Sequence, residues 1–423
     1  MSGDAEGAIA TLQAGLAPDR TSVFLQADAL LVFELAWVFL SQRRYEDAAK
    51  TYMRMTEINT WSHATYYFIA AGCQWSLGNF EEAQRLLEAT PAQIDKRKIG
   101  NKDLPTEVFI KKRRALGYPS QKGFAKFAFT VAFWKAKHVR RTGSEQNWVR
   151  SISISPADGT SLYQLFQLSL IINPHTEMAI FWNTHGRITP EVAQAHIVEL
   201  LSLSPPITLP SPFSPAPPPP PPTTAPERAP LDTPDELALR ALLLGIAHRA
   251  AGLPTEARRF LRDAHARHAR IPSTGSTWIG GVALFELAVL ELRDAQRLEQ
   301  QHEGETEAEG TTTASSSSAS SSSSEEGGGA GGGAARVAAY GARAAAAAGR
   351  NGEVLRHLRV DPLRQLGGDV RARWNRVLKD AGALLDSAMS LSGSEVDLSS
   401  RLESRIAMLR DEIALKREML GGP

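Results

Sequence analysis

Small residues recur along this chain at the spacing that two crossing helices need, and the pattern returns one helix pair later. Ala48 and Ala83 lie 35 residues apart, each inside an apolar series spaced at three and four. A chain built this way is constrained to stack helical hairpins, because one hairpin alone leaves an apolar face uncovered. The phrase Phe33-Glu34-Leu35-Ala36 returns as Phe285-Glu286-Leu287-Ala288, so two distant helices begin from the same local chemistry.

The first hairpin is read over residues 29–59. Val32, Leu35, Ala36 and Phe39 share one face of its first helix, and Ala48, Tyr52 and Met55 share one face of a second that starts near Tyr45. Next come Tyr67, Ala70 and Ala71, a turn at Gly78, and Phe80, Ala83 and Leu87. Glycine is the expected stop because it accepts a positive φ. At 237–266, Leu244 and Gly245 form the close approach, Gly252 turns, and Ala257, Leu261 and Ala264 line the return helix. Residues 278–292 open a further unit. Units of about 34 residues with these offsets are of tetratricopeptide type. The fold class expected is therefore all-α: a tetratricopeptide-like helical-repeat solenoid with a disordered linker and a disordered insert.

Composition divides the chain. The N-terminal repeats are read at 1–93 and a basic helical middle at 94–204. Residues 205–232 form a proline-rich linker; 205–230 hold 13 of the 25 prolines. Proline has a fixed φ and no amide hydrogen, so a semi-rigid spacer is expected. The C-terminal repeats follow at 233–300. At 301–335 an acidic patch, a serine run and a glycine run offer too little apolar surface to offset their ordering entropy. The last segment, 336–423, is read as helices. Ala342–Ala348 resumes one, and Leu402, Ile406, Leu409, Ile413 and Leu420 form the apolar stripe of another, with Lys416 on its seam. That helix reads better as the cap of a solenoid than as a coiled coil.

The net charge is +1, so no overall field points to nucleic acid or membrane. The single cysteine, Cys73, cannot form an internal disulfide and reads as a buried small residue in a reducing compartment. Residues 1–10 lack the basic and apolar regions of a secretory leader. The apolar stretch at 23–40 carries Gln26, Asp28 and Glu34 and fits a buried helix better than a membrane span. Locally the charge is uneven: 96–150 contain 15 Lys and Arg against three acids. Within it, Phe124, Phe127, Val131 and Trp134 would share one side of a helix. A buried helix with a solvated basic edge is the favoured reading, with an anionic lipid or protein surface next. Nothing resembles an RNA-binding module, and no nucleic-acid partner is expected.

Catalytic patterns are missing from the sequence. There is no phosphate loop, no His-Glu-x-x-His, no Cys-x-x-Cys and no Gly-x-Ser-x-Gly. His265 and His268 sit among arginines and read as an exposed basic helix face rather than a metal site. No enzymatic activity, cofactor or metal is expected.

Four phrases remain that periodicity does not require. The first is Phe33-Glu34-Leu35-Ala36-Trp37, followed by Asn59-Thr60-Trp61-Ser62-His63-Ala64-Thr65-Tyr66-Tyr67. The others are Lys98-Ile99-Gly100-Asn101-Lys102-Asp103-Leu104-Pro105-Thr106-Glu107-Val108-Phe109, Ile180-Phe181-Trp182-Asn183-Thr184-His185-Gly186-Arg187, and Leu398-Ser399-Ser400-Arg401-Leu402-Glu403-Ser404-Arg405-Ile406. In this order the chain resembles the inclusion body clearance family of fungi, which has animal relatives among tetratricopeptide-repeat proteins. The resemblance covers about 25–200 and 235–420. It implies a non-enzymatic adaptor that clears protein inclusions after folding stress, acting with lipid-droplet proteins and misfolded clients. Cytoplasm and nucleus are the implied locations, with at most peripheral contact with lipid droplets or the mitochondrial outer membrane. A structural or targeting role at that outer membrane is the alternative. The resemblance brings no catalytic residues. Partner contact is expected at Lys102, Pro105, Glu107, Lys111, Lys112, Arg113 and Arg114, although Pro105 and Glu107 also suit the first turn of a helix. Only about 25 residues precede the first phrase, so the chain is read as a short or incomplete member.

Overall fold

A computed structural model describes residues 4–16, 25–94, 98–99, 102–115, 172–214, 231, 233–272, 275–314, 368–393 and 399–421. The aromatic and basic stretch at 123–141, the proline run at 217–222, the glycine run and Ala342–Ala348 lie outside the described residues. The chain forms two compact units. The first comprises Met1–Leu290 and Leu384–Ala407, the second Glu291–Ala383 and Met408–Pro423.

The first unit opens with α1 (Ala5–Gly15), α2 (Leu25–Ser41), α3 (Tyr45–Ile58), α4 (His63–Ser76) and α5 (Phe80–Ala89). Each packs on the next in sequence, which is the arrangement of stacked hairpins. On α3 the buried residues are Tyr45, Ala48, Ala49, Tyr52 and Met55, one helical face, while Glu46 and Lys50 pair on the other at 2.6 Å. Cys73 is buried on α4, and burial pushes its thiol up.

A two-residue antiparallel pair follows, β1 (Lys98–Ile99) and β2 (Lys102–Asp103), in register Ile99 to Lys102. Then come α6 (Pro105–Ala115), α7 (Pro174–Phe181) and α8 (Pro190–Leu201). The C-terminal repeat is α9 (Pro234–Ala250) and α10 (Pro254–His268). All five of these helices begin with proline, whose missing N–H is an orphan donor at N1 in any case. Thr233 closes a full capping box with Glu236 on α9.

Three hairpin turns share one chemistry. In each, the N–H of the third residue past the helix reaches back five residues, and the N–H before it reaches back three. Asn79 donates to the Gln74 carbonyl at 2.9 Å and Gly78 to Trp75 at 3.0 Å; Leu253 donates to His248 at 2.9 Å and Gly252 to Arg249 at 3.2 Å. Gly78 and Gly252 have φ of +79° and +77°. This is the Schellman closure, which satisfies the last helical carbonyls. The third copy, between α2 and α3, uses Arg43 at φ 58°, with Arg44 donating to Phe39 and Arg43 to Leu40.

Gly245 marks the crossing of α9 and α10: a Cβ there would lie 2.6 Å from Leu261 Cγ. The proline-rich segment departs from a plain spacer in one respect. Leu231 N–H donates to the Ser204 carbonyl at 2.7 Å. The buried Arg240 donates to the carbonyls of Leu203 and Pro205 at 2.7 and 2.8 Å. The chain therefore leaves and re-enters at one place, and α8 packs directly on α9.

Helices α11 (Ile279–Ala314), α12 (Gly368–Ser390) and α13 (Ser399–Met419) each run through a unit boundary. Helix α11 carries the backbone through the acidic patch at 303–309, where the sequence predicts a disordered insert. Glutamates are good helix formers and extend a helix already nucleated. The whole apolar stripe of α13 is buried. In the second unit, Lys416 on its seam reaches both Glu299 carboxylate oxygens at 3.0 Å and lies 4.3 Å from the Trp374 ring centroid.

Replacing Gly245 with alanine should cost about 1–3 kcal/mol, since Leu261 and the α10 backbone must shift to admit the methyl group. Urea unfolding of the two proteins side by side measures it; equal midpoints would show that the crossing has slack.

Candidate functional site

The expected contact residues do not share one environment. Pro105 is exposed and begins α6, and Lys111 is half-buried on the same helix. Lys102 lies on β2. Lys112, Arg113 and Arg114 continue the α6 backbone, with side chains outside the described residues. Glu107 is only 1% exposed and accepts a hydrogen bond from Ser62 Oγ at 2.9 Å. Beside it, Thr65 donates to Thr106 at 2.9 Å. These bonds tie the start of α6 to the start of α4, so Glu107 serves the packing of α6.

The remaining phrases meet along one seam in the first unit. Trp37 is buried with its ring stacked on Trp182, centroids 4.9 Å apart, and Tyr52 against it edge-on. The Arg401 guanidinium covers Trp182 at 4.2 Å. Phe181 meets Phe109 on one side and Trp278 on the other. The turn after α7 makes this possible: Asn183 is left-handed at φ 51°, which asparagine tolerates better than most residues.

Both copies of Phe-Glu-Leu-Ala give their glutamate to arginine. Glu34 meets Arg187 at 2.9 Å, with side chains 40% and 31% exposed. Glu286 meets Arg249 at 2.6 Å and Arg405 at 2.8 Å, and is itself 2% exposed. Burial alone would raise the Glu286 carboxyl, but the two guanidinium groups outweigh it and hold the group below its ordinary range. Arg405 also donates to Asn183 Oδ1 at 3.3 Å and lies over Phe285. One carboxylate thus joins α9, α11, α13 and the turn after α7.

A small cavity lies against this seam, lined by Ser41, His175, Thr184, His185 and His196 among others. Burial pushes His175 down to about 3 and His185 down to about 4. His196 is held well below the ordinary imidazole range, by burial first and then by Arg43 beside it at 3.1 Å. Thr184 Oγ1 and His185 Nδ1 have no hydrogen-bond partner in the structure, so the space suits a buried water. It is too small for a substrate.

No group of residues suited to a metal ion occurs among the described residues. His265 and His268 are half-buried rather than exposed: a Cβ at Gly280 would lie 2.4 Å from the His268 ring. The missing side chain of Gly280 leaves room for the α10 imidazole. No described helix is long and apolar enough to cross a membrane.

The same substitution should have unequal effects in the two copies of the phrase. Glu34→Ala should cost under about 1 kcal/mol, as for an exposed pair. Glu286→Ala should cost about 3–5 kcal/mol, because it strands buried arginines. Chemical denaturation of both variants measures the difference; equal losses would refute the ranking. The histidines set a pH dependence of their own. Their folded pKa values lie below the unfolded one, so the unfolded chain binds more protons and stability falls as pH falls. The loss starts near 6.5 and continues to about 4 for His185 and about 3 for His175. It should reach about 1.4 kcal/mol per pH unit for each histidine. Unfolding series at several pH values should show the slope, and His185→Asn should reduce it.

The family model described as Iml2/Tetratricopeptide repeat protein 39 matches residues 1–251. The inclusion body clearance protein iml2 of Neosartorya fischeri is 24% identical over 288 residues, covering 64% of this chain and 32% of that protein. Its counterpart in Yarrowia lipolytica is 26% identical over 252 residues, covering 56% of this chain and 27% of its own length. In Candida albicans a stretch of 48 residues reaches 46% identity, covering 11% of this chain and 6% of that protein. The chain spans about a third of the length of the first of these relatives. The first three phrases all lie inside the matched residues, on the helices that build the seam, and the chain belongs to the Iml2/tetratricopeptide repeat protein 39 family.

Proposed function

We propose that this chain is a non-enzymatic scaffold in the clearance of protein inclusion bodies after folding stress, acting with lipid-droplet proteins and misfolded clients. The observation that carries the reading is the family match joined to a seam whose buried carboxylate is spent on holding helices together. Stacked helical hairpins present side chains from many turns to one extended partner, and no reactive constellation occurs among the described residues. The names of the fungal relatives supply the process.

Partner contact is assigned to the α6 edge: Lys102, Pro105, Lys111, Lys112, Arg113 and Arg114, with Glu107 holding that helix in place. The basic stretch at 96–150 draws in acidic protein segments or anionic headgroups. The same charge favours the second reading, a targeting role at the mitochondrial outer membrane, in which high salt would release the protein from mitochondria.

Capture of the tagged full chain from stressed cells tests the first reading. Lipid-droplet proteins and misfolded clients should be recovered, and replacing Lys112, Arg113 and Arg114 with alanine should deplete them severalfold while the thermal melt stays unchanged. Recovery of mitochondrial outer-membrane proteins alone would replace it with the second. Wild-type rates of inclusion clearance in cells lacking the gene would refute it.

A further inference from the structure

The segment that leaves α8 runs along α9 as a strap tied at two points. Arg240 holds its start through the Leu203 and Pro205 carbonyls. Ser211 holds its end, with Oγ 2.9 Å from His248 Nε2. Arg240 and His248 stand about 12 Å apart along the helix, at 1.5 Å per residue. The strap closes in a turn. There Ser214 N–H donates to the Ser211 carbonyl at 3.0 Å, and Phe213 N–H donates to Ser211 Oγ at 3.2 Å.

The direction of the bond between Ser211 and His248 is fixed. His248 Nδ1 lies 2.7 Å from the Leu244 carbonyl, which can only accept, so Nδ1 carries the proton. Burial holds the ring below the ordinary imidazole range and keeps it neutral. Nε2 is therefore a lone pair, and the Ser211 hydroxyl donates to it. The pair is a tether rather than a nucleophile. A neutral carbonyl stands where an orienting carboxylate would, and Phe213 N–H already occupies Ser211 Oγ.

Pro212 follows Ser211, the order that proline-directed protein kinases recognise. We propose that Ser211 is a phosphorylation site for such a kinase and that its phosphate releases the strap from α9. The γ-phosphoryl group of ATP passes to Ser211 Oγ. The new Oγ–P bond replaces the bond to ADP, and the hydroxyl proton goes to the carboxylate base of the kinase. The proton lost is the one that bonds His248. In its place stand acceptor oxygens carrying about −1.5 to −2 charge at pH 7. They face the Nε2 lone pair of a fully buried ring that is stacked on Phe260. Every residue of α9 from Ala238 to His248 is buried, so release uncovers one side of that helix.

Thr90, Thr189, Ser204, Thr233 and Ser214 also precede proline, in less suitable settings. Thr90 is buried. Thr189 and Thr233 cap helices with their hydroxyls, and Ser204 lies where Leu231 closes the segment. Ser214 is exposed, and a phosphate there would meet water. Ser211 is half-buried between exposed Pro210 and Pro212, within reach of a kinase once the turn opens.

Phosphorylation of the full chain tests the proposal. The protein is treated with ATP and a cyclin-dependent kinase, and separately with a mitogen-activated kinase, and the modified positions are mapped by mass spectrometry. Ser211 should be modified, and hydrogen exchange across 203–214 should rise severalfold while α3 and α4 stay unchanged. Ser214→Ala should keep the whole response. In Ser211→Ala, kinase treatment should leave exchange of that segment where it was. Modification elsewhere with Ser211 untouched by both kinases would overturn the proposal. Phosphorylated Ser211 with unchanged or slowed exchange would overturn it equally, the result expected if His248 took up a proton and held the phosphate.

Discussion

A carboxylate buried among helices cannot remain charged without partners, and Glu286 meets that demand with two arginines from different helices. Arg249 arrives from α9 and Arg405 from α13. Removing water from all three groups is costly, and the attraction returns that cost only when the geometry is close and the other donors are occupied. Arg405 satisfies this by also reaching Asn183 and lying over Phe285. The constraint therefore passes to the turn after α7, which must hold Asn183 left-handed and Trp182 flat against Trp37. Apolar packing alone would allow α9, α11 and α13 to slide by a turn; a shared ion cluster allows one register.

The repeat itself was legible because its cause is local. A small residue facing another helix, an apolar residue three or four positions on and a glycine past the helix end are all visible within a few residues of one another. Gly78, Gly245 and Gly252 fall where that logic puts them. Arg43 shows its limit. It performs the same closing turn as Gly78 and Gly252, yet nothing in its own chemistry favours a positive φ. Its partner Glu199, 2.8 Å away, comes from a helix more than 150 positions later, as does His196. An arginine in a glycine position is compensated by tertiary contacts, and those cannot be read from the local sequence.

The same distinction runs through the site. The four phrases stood out because their aromatic, asparagine and arginine residues exceeded what periodicity requires, but not as partners of one another. Glu34 and Arg187 are separated by 153 positions, and Glu286 and Arg405 by 119. A charged residue on a helix reads as solvated until its partner is known, which is why Glu107 read as a surface contact and proved to be buried. The half-buried His265 and His268 reversed for the complementary reason: Gly280, on the facing helix, leaves room for a ring. The meeting of Ser204 with Leu231 belongs to the same class, because a proline-rich composition specifies stiffness and says nothing about where its ends lie.

These placements bear on where recognition resides. Side chains that lock a fold are poorly suited to sampling a partner, since their polar atoms are already bonded and their rings already covered. Glu107, Glu286 and Arg405 have their polar atoms engaged in this way, and Trp37 has its ring covered by Trp182. Substituting them would change binding only by changing the fold, so a loss of capture in such a variant would carry no information about contact. The α6 edge differs: Pro105 is exposed and Lys111 half-buried, on a helix anchored from beneath by Glu107 and Thr106. The buried bonds at Glu107 and Thr106 fix that helix on α4 without drawing on the exposed face at Pro105.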